Sequence, residues 1–328
     1  MKKIVIVITS FFLYKGLFAQ VYATDNPLAH TFSIVARDPA TGQMAVAVQS
    51  HWFSVGTTVS WAEAGVGAVA TQSFVNKSFG IRGLNLLRAG LTAQQALDSL
   101  LSDDAGREVR QVAIVDTFGH VATFTGKGCI QYACHLKGDQ FSVQANMMLG
   151  DQVCASMYKA YNKNGDKPFA DRIISALEAG QTAGGDIRGR QSAAIIVVPA
   201  RSAGRPWEER WVDLRVDDNQ QPIRELRRLY NVHLAYEHMN KGDLAVEKND
   251  MQDAMREYDA AMKMFPDNLE MQYWTAITLA NNKEFEKAIP MFKKIFKANS
   301  NWKELTKRLP SVHLLDISGE ELNKILAL

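Results

Sequence analysis

From residue 31 the chain runs in short apolar stretches broken by Gly- and Pro-containing turns, and near residue 220 their alternation gives way to a period of 3.6. In TFSIVAR (31–37), Phe32, Ile34 and Ala36 fall on one face and Ser33, Val35 and Arg37 on the other, which is the pattern of a strand. DPATG, with Pro39 and Gly42, turns the chain and MAVAVQS returns, predicting an antiparallel pair. VGAVAT (66–71), FSVQAN (141–146), SAAIIVV (192–198) and RWVDLRVD (210–217) predict further strands, and VRQVAIVDT with HVATFTG flanks a short FGH turn as a second hairpin. Helical spacing occurs at 81–89, 153–161 and 169–177. Another helix is predicted behind Thr92, an N-cap with Gln95 three residues on and Ala96, Leu97, Leu100 and Leu101 on its apolar side. Blocks of strands alternating with helix pairs predict a layered α+β or α/β body with helices covering sheets.

Beyond residue 220 the pattern is helical throughout. MQDAMREYDAAMKMFPDN overlays FEKAIPMFKKIFKANSNW at a spacing of 34, matching Met251 with Phe285, Ala254 with Ala288, Tyr258 with Phe292 and Ala261 with Ile295. Gly242 and Ala276 take the small-residue position of the preceding helices. This resembles tetratricopeptide repeats, although their early tryptophan is missing. The aromatic and methionine stripes are expected to form helix–helix core. A lead-in helix is expected at 224–230, and a capping helix at 320–328 beyond Pro310.

The charges nearly cancel, 37 basic against 35 acidic residues, so no global field suits a polyanion and nucleic acid is not an expected partner. Lys2 and Lys3 precede IVIVITSFF and LYKGLFA, an apolar stretch interrupted by Lys15. Its length and flanks predict a signal peptide over 1–23, cut after Ala19 or Ala23, and hence a secreted or periplasmic protein. No later segment is apolar enough for stable membrane insertion. Residues 24–30 then form a short prosegment with no apparent core, 31–220 the α+β domain and 221–328 the helical domain. Cys129, Cys134 and Cys154 are too few for a disulfide framework; Cys129 and Cys134 are placed either to bridge locally or to remain buried thiols.

No HExxH is present, the seven histidines lack metal-ligand spacing, and neither a phosphate loop nor GxSxG occurs, so no metal or organic cofactor is expected. Ser50, in SHWFS, lacks the glycine elbow of a serine nucleophile. Thr31 offers different chemistry. A threonine at a free N-terminus has its base beside it, since an α-amino group of pKa about 7.7–8.0 accepts the hydroxyl proton directly or through water. That requires a cut between His30 and Thr31, because signal-peptide removal alone leaves further residues in front.

FSIVARDPATGQMAVAVQS, AGVGAVATQSFVNKSFGIRGLNLL, FTGKGC, FSVQANM, AGGDIRGRQSAAIIVV and WVDLRVDD resemble, in order, the blocks of the DUF1028 family over about residues 30–230. The resemblance implies the four-layer αββα sandwich of N-terminal-nucleophile (Ntn) hydrolases, which include proteasome β subunits and begin their first central strand with Thr, Ser or Cys. Shorter members often start MTFS, so that losing Met exposes the residue matched by Thr31. The chain departs from proteasome-like members where they carry an aspartate in the second strand and a lysine about 32 residues after the nucleophile: here stand Ala47 and Glu63. The candidate helpers of Thr31 are therefore Asn146, as an oxyanion donor, and Asp186, Arg188, Arg190 and Ser192 around a strand entrance, with Thr71 and Gln72 as polar substrate contacts. The resulting expectation is a secreted amide-bond hydrolase acting on a small amide or peptide, with a protein partner or a second copy meeting the helical repeats. The alternative is a noncatalytic binding or scaffold protein on the same fold.

Overall fold

The computed structural model describes residues 28–328, so the expected signal peptide lies outside the described residues. β2 (Thr31–Arg37) and β3 (Met44–Ser50) form the expected hairpin, because Gly42 supplies the positive φ of 73° that closes its turn. They lie at the centre of a six-stranded antiparallel sheet. β10 (Ser192–Val198) and β11 (Val212–Val216) extend it beyond β3, and β9 (Phe141–Ala145) and β8 (Cys134–Gly138) extend it beyond β2. The second sheet is built on β5 (Gly67–Phe74), β6 (Arg110–Asp116) and β7 (Val121–Thr125). Two short strands, β1 (Leu28–Ala29) and β4 (Ser60–Glu63), share the outer edge of β5.

Period-two alternation gives both sheets two apolar faces. Val35, Val46, Val48, Ala68, Ala70, Ala113 and Ala194 pack between the sheets. The opposite face of the second sheet, with Val69, Val112 and Ile114, is covered by α1 (Ser78–Arg88) and α2 (Ala93–Ser102). That of the first, with Phe32, Ile34, Ala47 and Ile195, is covered by α3 (Val153–Lys163) and α4 (Phe169–Thr182). At Gly180 a Cβ would stand 3.1 Å from the Phe32 ring and closer still to Met157, so the missing side chain lets α4 lie directly on β2. The N-terminal part is thus a mixed α/β unit with two sheets.

An all-α region follows: α5 (Pro222–Glu247), α6 (Met251–Met264), α7 (Leu269–Asn281), α8 (Phe285–Ala298), α9 (Asn301–Arg308) and α10 (Gly319–Leu326). The expected lead-in helix and the first repeat helix are one continuous α5 of 26 residues, since no Gly or Pro stop lies inside it except Gly242, which serves packing. A Cβ at Gly242 would meet the Tyr258 ring at 2.3 Å. The residues paired at the 34-residue spacing, Ala254 with Ala288 and Tyr258 with Phe292, are all buried.

Three strands escape the hydrophobic pattern, each for a reason. β8, CHLKG, is a largely exposed edge strand with no apolar alternation, and β4 is four residues long. β1 lies in the stretch read as a coreless prosegment, yet Ala29 and His30 are buried. They owe that burial to a slot between distant strands, invisible from local composition. The disulfide also differs from the one considered: Cys134 bonds Cys154, tying β8 to the first turn of α3, and Cys129 is free.

Candidate functional site

Along the central strands the positions facing the other sheet change from apolar to polar toward one end. In β2 they read Val35, Ser33, Thr31, and in β3 Val46, Val48, Ser50. β9 contributes Ser142 and Gln144 and is followed by Asn146, while Gln72 ends the run Ala68, Ala70 in β5 and Gln111 precedes Ala113 in β6. Register brings these ends together, with Thr31 opposite Ser50, Ser33 opposite Gln144 and Gln72 opposite Gln111. All are fully buried. A buried polar group without a partner costs roughly 1–3 kcal/mol, so this end of the sandwich is stable only as a completed network.

Most of the network is complete. Ser33 Oγ donates to Gln72 Oε1 at 2.6 Å and accepts from Gln144 Nε2 at 2.6 Å. Gln111 Oε1 accepts from Gln72 Nε2 at 2.7 Å and from Asn146 Nδ2 at 2.9 Å. Three donors converge on the Thr31 carbonyl: the Asn146 backbone N–H at 3.0 Å, Gln72 Nε2 at 3.3 Å and Asn146 Nδ2 at 3.4 Å. These bonds fix the backbone of Thr31 at the end of its strand.

The peptide bond in front of Thr31 is held as firmly. The His30 carbonyl oxygen accepts from Ser50 Oγ at 2.6 Å and from Arg188 Nη2 at 2.8 Å. Arg188 is aimed by Asp186, whose Oδ2 takes Nη2 at 2.7 Å and whose Oδ1 takes Nε at 3.0 Å. Asp186 Oδ2 also accepts the His51 N–H at 3.1 Å, which anchors this pair to the end of β3. Thr31 Oγ1 donates to the Ala29 carbonyl at 3.3 Å. The His30 ring stands edge-on to Phe74, with centroids 5.6 Å apart, and its Nδ1 lies 2.7 Å from Asn146 Oδ1. Burial lowers its pKa below the ordinary 6.5, outweighing the opposing hydrogen bond to Asn146.

Of the residues singled out from sequence, Asn146, Gln72, Asp186 and Arg188 therefore meet around Thr31 and His30. Three others do not touch them. Ser192 Oγ donates to the Trp52 carbonyl and accepts the Val55 N–H at 3.1 Å, closing the loop after β3. Thr71 faces away from the sheet interface, its Oγ1 on the Asn76 carbonyl at 3.2 Å. Arg190 is exposed beside a groove between α4 and the start of α5, with Gln181 and Arg224. Ala47 pairs with Ile34 well inside the sheet, and Glu63 forms an ion pair with Arg88, so neither takes part in this network. Ser50, His30 and Gln111 were missed as site residues. A strand whose apolar alternation ends in an inward-facing serine or glutamine was the available signal, and it also marks Gln72. Among the described residues no group of three or more His, Cys, Asp or Glu is placed to hold a metal ion.

A two-sheet α/β body with a polar end closed over the start of its first central strand defines the class; comparison supplies the family. Residues 31–226 match the model of DUF1028, a family of unknown function, and the chain belongs to that family. A crystal structure of a DUF1028 protein from Silicibacter pomeroyi is similar, at 30% identity and a TM-score of 0.56, covering 62% of this chain and 88% of that one. A search of curated proteins gave no match.

Proposed function

We propose that the chain is the precursor of an exported Ntn-type amidohydrolase, in which a cut between His30 and Thr31 frees the threonine as nucleophile. The observation that carries this reading is the His30 carbonyl, the electrophile of that cut, which already receives Ser50 Oγ and Arg188 Nη2. Two donors on one buried carbonyl are what a developing oxyanion needs, and each such donor contributes about 10²–10³ in rate. The αββα sandwich of Ntn type fits the helix–sheet–sheet–helix packing, and the family match starting at Thr31 fits a working domain that starts there. The Cys134–Cys154 disulfide suits an oxidising compartment.

In the cut, Thr31 Oγ attacks the His30 carbonyl carbon, the peptide C–N bond breaks, and the Thr31 nitrogen leaves with a proton as an amine. Water hydrolyses the ester to give a His30 carboxylate and a free hydroxyl. In turnover the new amine accepts the Thr31 hydroxyl proton, Oγ attacks the substrate carbonyl, the amine returns the proton to the leaving nitrogen, and water then hydrolyses the Thr31 ester to release the acid and restore the hydroxyl. Ser50 and Arg188, rather than Asn146, take the oxyanion role. Asn146 and Gln72 hold the threonine backbone instead, and Asp186 orients Arg188. The helical region, a tetratricopeptide-like extension in this reading, offers a surface for a protein partner or a second copy.

Intact-mass measurement over time tests the proposal. The wild-type chain should come to start at Thr31, Thr31→Ala should keep residues 24–30, and Thr31→Ser should still be cut. A wild-type terminus that never reaches Thr31, in protein that still cleaves an amide, would eliminate the mechanism; an uncut terminus in protein without activity would leave the noncatalytic reading.

A further inference from the structure

Residues 28–30 occupy a seat whose walls belong to the rest of the chain. Leu28 pairs with Phe74 and Ala29 with Ser73, so β1 continues along the β5 edge where β4, paired with Gly67 to Ala70, leaves off. Ala29 is fully buried and His30 is 1% exposed. Taking β1 away uncovers backbone donors and acceptors at Ser73 and Phe74, a template for adding an extended strand. It also empties the side-chain hole of His30. The amide of Asn146 is oriented by its network, since Nδ2 donates to Gln111 Oε1 and the Thr31 carbonyl, which leaves Oδ1 as an acceptor facing that hole. A neutral His30 fills it by donating from Nδ1.

We propose that, after maturation, this seat is the acyl-side substrate subsite. It selects an extended peptide with a neutral, hydrogen-bond-donating side chain, histidine or glutamine, at the residue whose carbonyl is attacked, and alanine before it. The proposal rests on the reading of Thr31 as a freed nucleophile. The bond cut in maturation and the bond cut in turnover present their carbonyls to the same Ser50 and Arg188 donors, so the two acyl segments must follow the same path out along β5. Leucine at the histidine position would strand Asn146 Oδ1, and aspartate would set a buried anion against an acceptor; each should lose about tenfold or more in affinity relative to histidine.

The test uses the chain starting at Thr31, obtained by its own processing or by removing a fusion partner. It retains every strand of both sheets except the two-residue β1. The probes are acetyl-Leu-Ala-X aminocoumarin amides and the corresponding free acids, with X as His, Gln, Leu or Asp. Calorimetry on the acids and fluorescence on the amides should both rank His and Gln above Leu, with Asp last. In the uncut Thr31→Ala chain, adding His30→Gln should keep slow amide exchange at Ala29 and Ser73, whereas adding His30→Leu should speed it. If the acids bind in this order but no amide is cleaved, the subsite stands and catalysis by Thr31 falls. Cleavage without discrimination among the four, equal affinity for all of them, or no binding at millimolar peptide overturns the subsite.

Discussion

His30 is the residue on which the closed site turns, and its charge state follows from burial. Its folded pKa lies below the unfolded 6.5, so the unfolded chain takes up a proton first as the pH falls. The stability held through neutral His30 is complete above pH 6.5 and is lost as the pH drops toward the lowered folded value. Amide exchange at Ala29 and His30 in the uncut Thr31→Ala chain should therefore accelerate as the pH falls below 6.5, and adding His30→Gln should remove that dependence. Ser50→Ala tests the other side of the same peptide: the cut before Thr31 should slow by about 10²-fold with the fold intact. At this scale the sequence was readable only in part. Asn146 and Gln72 are legible as amides ending apolar strands, but Ser50, without a glycine elbow, shows no role in the sequence. The partner of its hydroxyl, the His30 carbonyl, arrives only through long-range pairing.

Elements with local signals were legible to within about five residues at each end. Thr92 and Gln95 form the predicted capping box at the start of α2, and Thr92→Ala should cost about 1 kcal/mol in chemical denaturation. SAAIIVV is β10 from end to end, because a strand buried on both faces needs an unbroken apolar run. Elements held by distant partners were not legible, as β1 and β8 show: one is two residues on a borrowed edge, the other a polar edge strand. Small residues at close crossings were legible as small and gained their meaning only in the structure. Gly242→Ala would drive a methyl group into the Tyr258 ring, which is itself anchored by its hydroxyl to Asp243 Oδ1 at 2.6 Å. Overpacking of this kind costs typically 1–3 kcal/mol, and it should appear as a lower thermal midpoint for the helical region with little change in the two-sheet unit.

Across the whole molecule, the division into a two-sheet unit and an all-α region was plain from the change in hydrophobic period near residue 220. What joins them was not. α5 packs on β10, β11 and α4, and Arg227 reaches from it to Asp171 and Glu178 on α4. Such a joint depends on side chains 49 and 56 positions apart. The disulfide is long-range in the same sense, closing a separation of 20 residues between an edge strand and a helix. Reducing it should lower unfolding stability by about 2–4 kcal/mol, measured by denaturant titration with and without reductant. The unbonded third cysteine then becomes a clock. Cys129 Sγ lies 3.4 Å from the carbonyl of Arg110, the residue directly across the sheet from Ser73, where Ala29 docks. Burial raises its pKa, so the thiol should be slow to label while residues 28–30 are seated, and quicker once they leave. A single natural thiol thus offers a way to time the opening of this end of the protein, with no engineered probe and no knowledge of the substrate.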